Sequence, residues 1–396
     1  MSFTVEKKET RAYPFRSPGS TILENELDLK IVYNKYKTNQ AIPSPDAQLR
    51  FNLIFCHGTG FNKSIWNYHI RRLYQLSQSF QVPWFLDSVI SVDAIGHGDS
   101  SLANFGKLGP VCAWEDCARD VIEVIRHEIE TTGDFQNTLD SRNVFIGHSM
   151  GGFLAFYAAY IAPSLFDAIV PIEAVLYGEP ERLTLLKKTV PRMIAAIRES
   201  FSTKEEARHF YSDLNFTKNM NRDVMNDYLD DELFKATDPS NGKAVIRTKC
   251  SKHHHTAAYM GTYISVPKGA IALPYIRVPI LHIAGENIWW NPSENASWIR
   301  NTINKRYFEG GVDIKHGGHL VNVERPDDVI EVIKNFISKR DRDFKRERNA
   351  KPMVELQGNR KAIYDREMGA LANLDVDHVY GFDVDTMRHF FATSKI

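Results

Sequence analysis

Several stretches of the chain are continuously apolar where a surface strand would alternate. Leu49-Arg50-Phe51-Asn52-Leu53-Ile54-Phe55-Cys56 becomes nearly all apolar toward its end, and Ser88–Val92, Asn143–Gly147, Ala168–Ile172 and Ile280–Ala284 are similar. Continuous apolar runs of this length are strands buried on both faces, as in a parallel sheet covered by helices. Leu27–Tyr33 instead alternates at period two, the mark of a half-buried strand. Between these runs lie helical patterns at Trp66–Leu76, Cys112–Ile129, Gly151–Ala162 and Asp327–Ser338, and Val312–Ile314 adds a late strand. Strands and helices in alternation predict a mostly parallel, doubly wound α/β sheet.

Two segments leave this rhythm. Residues 176–275 are rich in charge and helix formers, with no convincing buried strand, and read as a helical lid inserted between late strands. Such an insertion lies over the carboxyl ends of the strands, where ligands bind in open sheets. The mixed-charge run from Lys339 opens a solvated C-terminal extension. The expected organisation is an arm at 1–26, a core at 27–175 and 276–338, the lid at 176–275 and the extension at 339–396.

Composition narrows the function. The 396 residues carry 49 Lys+Arg against 49 Asp+Glu, so the net charge is zero and a phosphate-neutralising cationic surface is not expected. No run approaches the roughly 20 apolar residues of a membrane span. The N-terminus is too charged for a secretory signal. Four cysteines without CxxC spacing fit a reduced compartment, with neither a disulfide framework nor a zinc site.

The chemistry concentrates at Gly147-His148-Ser149-Met150-Gly151. This G-x-S-x-G pattern follows an apolar strand and opens an apolar helix, a turn that forces the serine out at the sheet edge. Ser149 is therefore the candidate nucleophile. It needs a base, and His319, in a Gly-Gly-His loop after the last strand, is the candidate, with His316 its neighbour and rival. Cys56-His57-Gly58-Thr59-Gly60 follows a buried strand and is positioned to give an oxyanion donor. Thr59 N–H is expected as the first donor, with Gly60 beside it, and Met150 N–H as the second. His57 reads as a structural histidine that holds this loop.

The acid is open. Glu173 ends the strand Ala168–Ile172, and a carboxylate there needs a partner. Glu286 follows Gly285 after another strand, where Ile288 stands three residues past the glycine, and Asp313 is a third possibility. His253-His254-His255 lacks carboxylate or cysteine companions at ligand spacing and reads as exposed polar surface; no metal or organic cofactor is expected. Asp93–Ser100 lacks G-x-G-x-x-G spacing, which argues against a dinucleotide. Trp289 and Trp290 read as packing aromatics that could also line an acyl pocket.

Together, His57-Gly58-Thr59-Gly60, the glycine-flanked Ser149 and Gly318-His319 with Glu324-Arg325-Pro326 resemble the α/β-hydrolase family over about Leu27 to Ser338. The resemblance implies an α/β-hydrolase fold and a serine–acid–histidine order. Haloalkane dehalogenases and epoxide hydrolases of this fold carry aspartate where Ser149 stands, so the likeness disfavours those reactions. Some dehalogenases place their acid as a glutamate after the strand that follows the nucleophile helix, which favours Glu173. A narrower likeness, through His97-Gly98-Asp99-Ser100, Gly147–Phe153, Ile172-Glu173 and His319–Glu324, is to fungal peroxisomal lipases and esterase-like proteins. Ser394-Lys395-Ile396 resembles the Ser-Lys-Leu peroxisomal address. The expectation is a carboxylic ester hydrolase of the peroxisomal matrix, acting on lipid-derived acyl esters and bound by an import receptor. Thioesterase or carbon–carbon hydrolase chemistry, and a non-catalytic scaffold, are the alternatives.

Overall fold

A computed structural model describes residues 3–350, except 25, 45–47, 177–179, 215, 239 and 288–292, together with 359–375, 378, 388 and 392. Side chains at 180–187, 293 and 350 are also outside the description.

Eight strands form one sheet: β1 (Phe3–Arg11), β2 (Lys30–Thr38), β3 (Arg50–Cys56), β4 (Phe85–Val92), β5 (Ser141–His148), β6 (Ala168–Ile172), and, after a three-strand insertion numbered β7–β9, β10 (Ile280–Gly285) and β11 (Phe308–Ile314). Their order is β1-β2-β4-β3-β5-β6-β10-β11. Only the β1–β2 and β2–β4 pairs are antiparallel. Alternate residues of a central strand enter opposite layers: Leu53 and Phe55 join one buried cluster, Ile54 and Cys56 the other. That two-sided burial is why these strands read as largely apolar runs.

The helices that position the site follow from local signals. In α1 (Asn67–Gln78), α2 (Gly98–Ala103) and α3 (Trp114–Thr132), the last is the most regular, burying Trp114, Cys117, Ala118, Val121, Ile122 and Ile125 at helical spacing and ending on Gly133 at φ 73°. α4 (Met150–Ile161) buries nine of its twelve residues behind β5.

The structure departs from the pattern in three places. The expected arm contains β1, an edge strand paired with β2 from Phe3↔Thr38 to Arg11↔Lys30. Its charged sequence, Glu6-Lys7-Lys8-Glu9, hid it, because an edge strand needs no apolar run. Between β6 and β10, α5 (Pro180–Ala196), α6 (Lys204–His209), α7 (Arg222–Glu232), α8 (Lys252–Met260) and α9 (Thr262–Ala272) are joined by a small antiparallel sheet. Its strands β7 (Ser200–Phe201), β8 (Leu233–Thr237) and β9 (Ala244–Thr248) lie in the order β7-β9-β8 and are too short and half-exposed to leave a buried-strand signature. After α10 (Ser293–Thr302) and α11 (Val321–Glu324), α12 (Pro326–Ala350) runs through the expected boundary at 338/339. Arg340 is buried on it against Asp167 at 3.0 Å, which ties the mixed-charge run to the core.

Candidate active site

Ser149 occupies the one-residue step between β5 and α4, with φ 54° and ψ −113°. L-residues rarely adopt such angles, and the strain persists only when the surroundings impose it. Here the glycines at 147 and 151 leave room for the turn, and a hydrogen bond to β6 holds it. A Cβ at Gly147 would lie 2.0 Å from the carbonyl oxygen of Gly151, so the turn closes only without side chains. The Ser149 N–H donates to Ile172 O at 2.9 Å, tying the turn to β6.

His319 reaches this serine from the loop after the edge strand β11, at the same carboxyl end of the sheet. Its Nε2 lies 3.0 Å from Ser149 Oγ, and its Nδ1 lies 3.2 Å from Glu173 Oε2. Glu173 directly follows β6, also at positive φ (47°), with its side chain fully buried. Its other oxygen accepts the Gly285 N–H at 2.7 Å, and its own N–H donates to Ile283 O at 2.8 Å. Pro171 is tolerated just before it. The residues two positions to either side, Ile169 and Glu173, make the bonds to Pro279 O and Ile283 O, and the ladder skips position 171. Of the three carboxylates left open by the sequence, the structure brings Glu173 to His319. Glu286 is exposed and accepts from the His316 N–H at 3.1 Å, while Asp313 pairs with Arg300 at 2.6 Å. His316 is itself exposed.

The loop after β3 lies against the serine. A Cβ on Gly58 would sit 3.0 Å from Ser149 Cβ, and the Thr59 hydroxyl donates to Met150 Sδ at 3.7 Å. Thr59 and Met150, the two expected oxyanion donors, are thus adjacent. The Gly60 amide is directed elsewhere and donates to His97 Nε2 at 3.2 Å. His57 uses both ring nitrogens on the backbone, with Nδ1–H donating to Gly58 O at 2.8 Å and Nε2 accepting from Ala94 N at 3.1 Å. Burial pulls its pKa below the usual imidazole range.

Three relationships here were missed at the level of sequence. His148 is buried and donates from Nε2 to the carbonyl oxygen of His319 at 2.7 Å. Burial, with the neighbouring His319, pushes its pKa down to about 3, so it is neutral at physiological pH. Lys63, in the turn after the Gly58–Gly60 loop, is almost wholly buried between Asp93 (2.8 Å) and Asp99 (2.8 Å) of the core and Asp231 (2.9 Å) of the insertion. Lys249 closes the same network from the insertion, 2.6 Å from Asp99 and 2.7 Å from Asp231. A lysine at the start of a buried segment, with an aspartate ending the next strand, was the available signal.

The third concerns the histidine triplet. Only His253 is exposed; His254 is half-buried and its Nδ1 lies 2.9 Å from Ser101 Oγ, while His255 is buried beside His97. The reading of the triplet as exposed surface is corrected on that point. A helical repeat turns successive residues by about 100°, so three neighbours cannot share one face. Trp289, Trp290 and Ser394-Lys395-Ile396 lie outside the described residues.

The chain matches the model of the alpha/beta hydrolase family over residues 53–332 and belongs to that family. Among curated proteins it is similar to the peroxisomal membrane protein LPX1 of Saccharomyces cerevisiae, with 29% identity over 349 residues, 84% of this chain and 87% of that protein. The crystal structure of that yeast protein, described as a peroxisomal alpha-beta-hydrolase, superposes with TM-score 0.74 at 27% identity, covering 94% of this chain and 98% of the other. A type I acyl-CoA thioesterase, mpaH' of Penicillium brevicompactum, is 28% identical over 166 residues, 42% of this chain and 35% of that protein. Among the described residues, no helix is long and apolar enough to cross a membrane.

Proposed function

We propose that the protein is a serine hydrolase that cleaves carboxylic esters, most naturally lipid-derived acyl esters, through an acyl-enzyme. In this reading Ser149 Oγ attacks the acyl carbon while His319 Nε2 takes the hydroxyl proton. Glu173 holds His319 in the tautomer with its proton on Nδ1 and stabilises the imidazolium. The Thr59 and Met150 amides receive the developing oxyanion. Collapse of the tetrahedral intermediate releases the alcohol, protonated by His319, and water repeats the sequence to free the acid. The observation that carries the reading is the unbroken line from Glu173 Oε2 through His319 to Ser149 Oγ, at 3.2 and 3.0 Å. The test is hydrolysis of short- and long-chain p-nitrophenyl esters by the wild type and Ser149→Ala. Turnover in the wild type alone supports the proposal; equal rates end it.

Thioester cleavage is the second reading, favoured by the partial likeness to an acyl-CoA thioesterase. The same residues would serve, since a thioester differs only in its leaving group. Acyl-CoA and acyl ester series of matched chain length distinguish the two by their relative kcat/KM.

The segment 176–275 serves in this proposal as a cap over the site that selects the acyl group. Contacts of Tyr228 OH with Gly60 O (3.2 Å) and of Asn62 Nδ2 with Glu232 Oε2 (3.0 Å) support it, since they join the segment to the oxyanion loop. The proposal extends to the peroxisomal matrix, with Ser394-Lys395-Ile396 read by an import receptor, supported by the peroxisomal yeast relative. A fluorescent protein carrying the last ten or so residues should enter peroxisomes, and removal of the tripeptide should leave it outside.

A further inference from the structure

Behind the oxyanion loop, the side chains of His97, Cys250 and His255 converge, with one ligand atom from each lying within 4.8 Å of the others. His97 immediately precedes α2 in the core. Cys250 and His255 come from the insertion, the first after β9 and the second on α8. All three are buried, at 1%, 1% and 8% exposure. Among the described residues, the buried Nδ1 atoms of both histidines have no hydrogen-bond partner. A polar atom so placed is unfavourable, and such groups call for a ligand, an ion or a solvent molecule.

We propose that His97, Cys250 and His255 bind a zinc-class divalent ion that joins the insertion to the core beside the oxyanion loop. Two imidazoles and a thiolate suit zinc, whereas magnesium and calcium take oxygen ligands. In a tetrahedral zinc site, neighbouring ligand atoms stand about 3.3–3.6 Å apart, so closing from the present spacing takes a movement of about 1 Å. Burial also holds both imidazoles well below the usual pKa, in the neutral form that ligates. The thiol proton of Cys250, now donated to Gly96 O at 3.1 Å, leaves to solvent as the sulfur gives its electron pair to the metal.

Occupation has a consequence at the oxyanion loop. A neutral imidazole has one free lone pair, and His97 uses it at Nε2 to accept the Gly60 N–H. Whichever nitrogen of His97 ligates, the other carries a proton, and Gly60 loses its acceptor. Metal binding therefore changes the loop that holds Thr59. This consequence for activity rests on the serine hydrolase reading; the binding itself does not.

The probe is cobalt(II), added to the full chain under reducing conditions and then displaced with zinc. The expected result is one equivalent bound, with visible tetrahedral d–d bands and a near-ultraviolet sulfur-to-cobalt band. Cys250→Ser should lose the sulfur band, and His255→Ala should bind at least about 100-fold more weakly, beyond the loss seen when only an outer-shell partner is removed. Circular dichroism separates loss of the site from loss of the fold. Absence of the sulfur band in the wild type overturns the proposal even if a variant fails to fold. Retention of that band in Cys250→Ser, or unchanged affinity in His255→Ala, also overturns it. Zinc should change wild-type ester turnover about tenfold and leave Cys250→Ser unchanged; metal binding without that change overturns the coupling. A protein that binds cobalt but hydrolyses no ester would reject the hydrolase reading alone.

Discussion

His148 donates its Nε2–H to the carbonyl oxygen of His319 at 2.7 Å, so the residue before the candidate nucleophile holds the backbone of the candidate base. The two rings lie 5.2 Å apart between centroids. This link joins the end of β5 directly to the loop after β11, and makes the Ser149–His319 distance depend on more than the chain segments bearing those two residues. His148→Ala should lower kcat about 10- to 100-fold, the scale of a displacement near 1 Å, with a smaller effect on KM. Steady-state kinetics on one activated ester checks it. A fall in KM-dependent terms alone would assign His148 to substrate binding.

Glu173→Gln should abolish most turnover, about 10³-fold or more, while Glu286→Gln stays within a few-fold of wild type. Glu173 accepts from the Gly285 N–H and from His319 Nδ1. An amide has one acceptor oxygen, so its NH2 would face one of those donors and favour the wrong imidazole tautomer. Parallel kinetics with a check of folding decides the matter. Selective loss in Glu286→Gln would reverse the assignment.

Ser149→Gly should melt at a higher temperature than Ser149→Ala, against the usual order, in which glycine costs about 0.5–1 kcal/mol of backbone entropy. The reason is the backbone at φ 54°, ψ −113°, where relief of strain of about 1–3 kcal/mol outweighs that entropy. Thermal unfolding of the two variants, both inactive, measures the difference.

Lys63→Met should destabilise the fold by about 3–5 kcal/mol, since it takes the ammonium from buried Asp93 and leaves Asp99 and Asp231 to Lys249. Burial alone would lower the Lys63 pKa, and the carboxylates, Asp93 foremost, more than reverse it. The network spans core and insertion, so limited proteolysis should also cut the variant faster within 176–275. Unfolding curves with matched proteolysis test both effects.

Stability should fall as pH drops below about 6.5. His148 and His282 are each pushed down to about 3 in the folded chain, in both cases chiefly by burial. Between pH 6.5 and 3 the unfolded chain therefore binds protons that the folded chain does not, and stability rises with pH across that window. In His282→Gln, which keeps an acceptor for the Arg300 Nε–H that now bonds His282 Nδ1 at 3.2 Å, the slope between pH 6 and 4 should decrease by up to about 1.4 kcal/mol per pH unit. Urea unfolding at several pH values measures it, and an unchanged slope rejects the assignment.

What the sequence by itself determined is local. Largely apolar runs marked β3 to β6 and β10, because a strand covered on both faces has no solvent-facing side to fill with alternating polar residues. The glycine-flanked Ser149 announced its turn, because the close approach of Gly147 and Gly151 excludes side chains whatever surrounds them. The strand β1 escaped because pairing at an edge rests on backbone hydrogen bonds, which any non-proline sequence can make. Only the tertiary structure shows which of Glu173, Glu286 and Asp313 lies beside His319. The choice depends on β6 lying beside β10, which carries a carboxylate 146 positions earlier in the chain to the imidazole of His319. Likewise, no spacing of residues could reveal that His97 meets Cys250 and His255, since that meeting exists only where the insertion folds back on the core. Periodicity reports which face of an element is buried; it carries no information about which distant element does the burying.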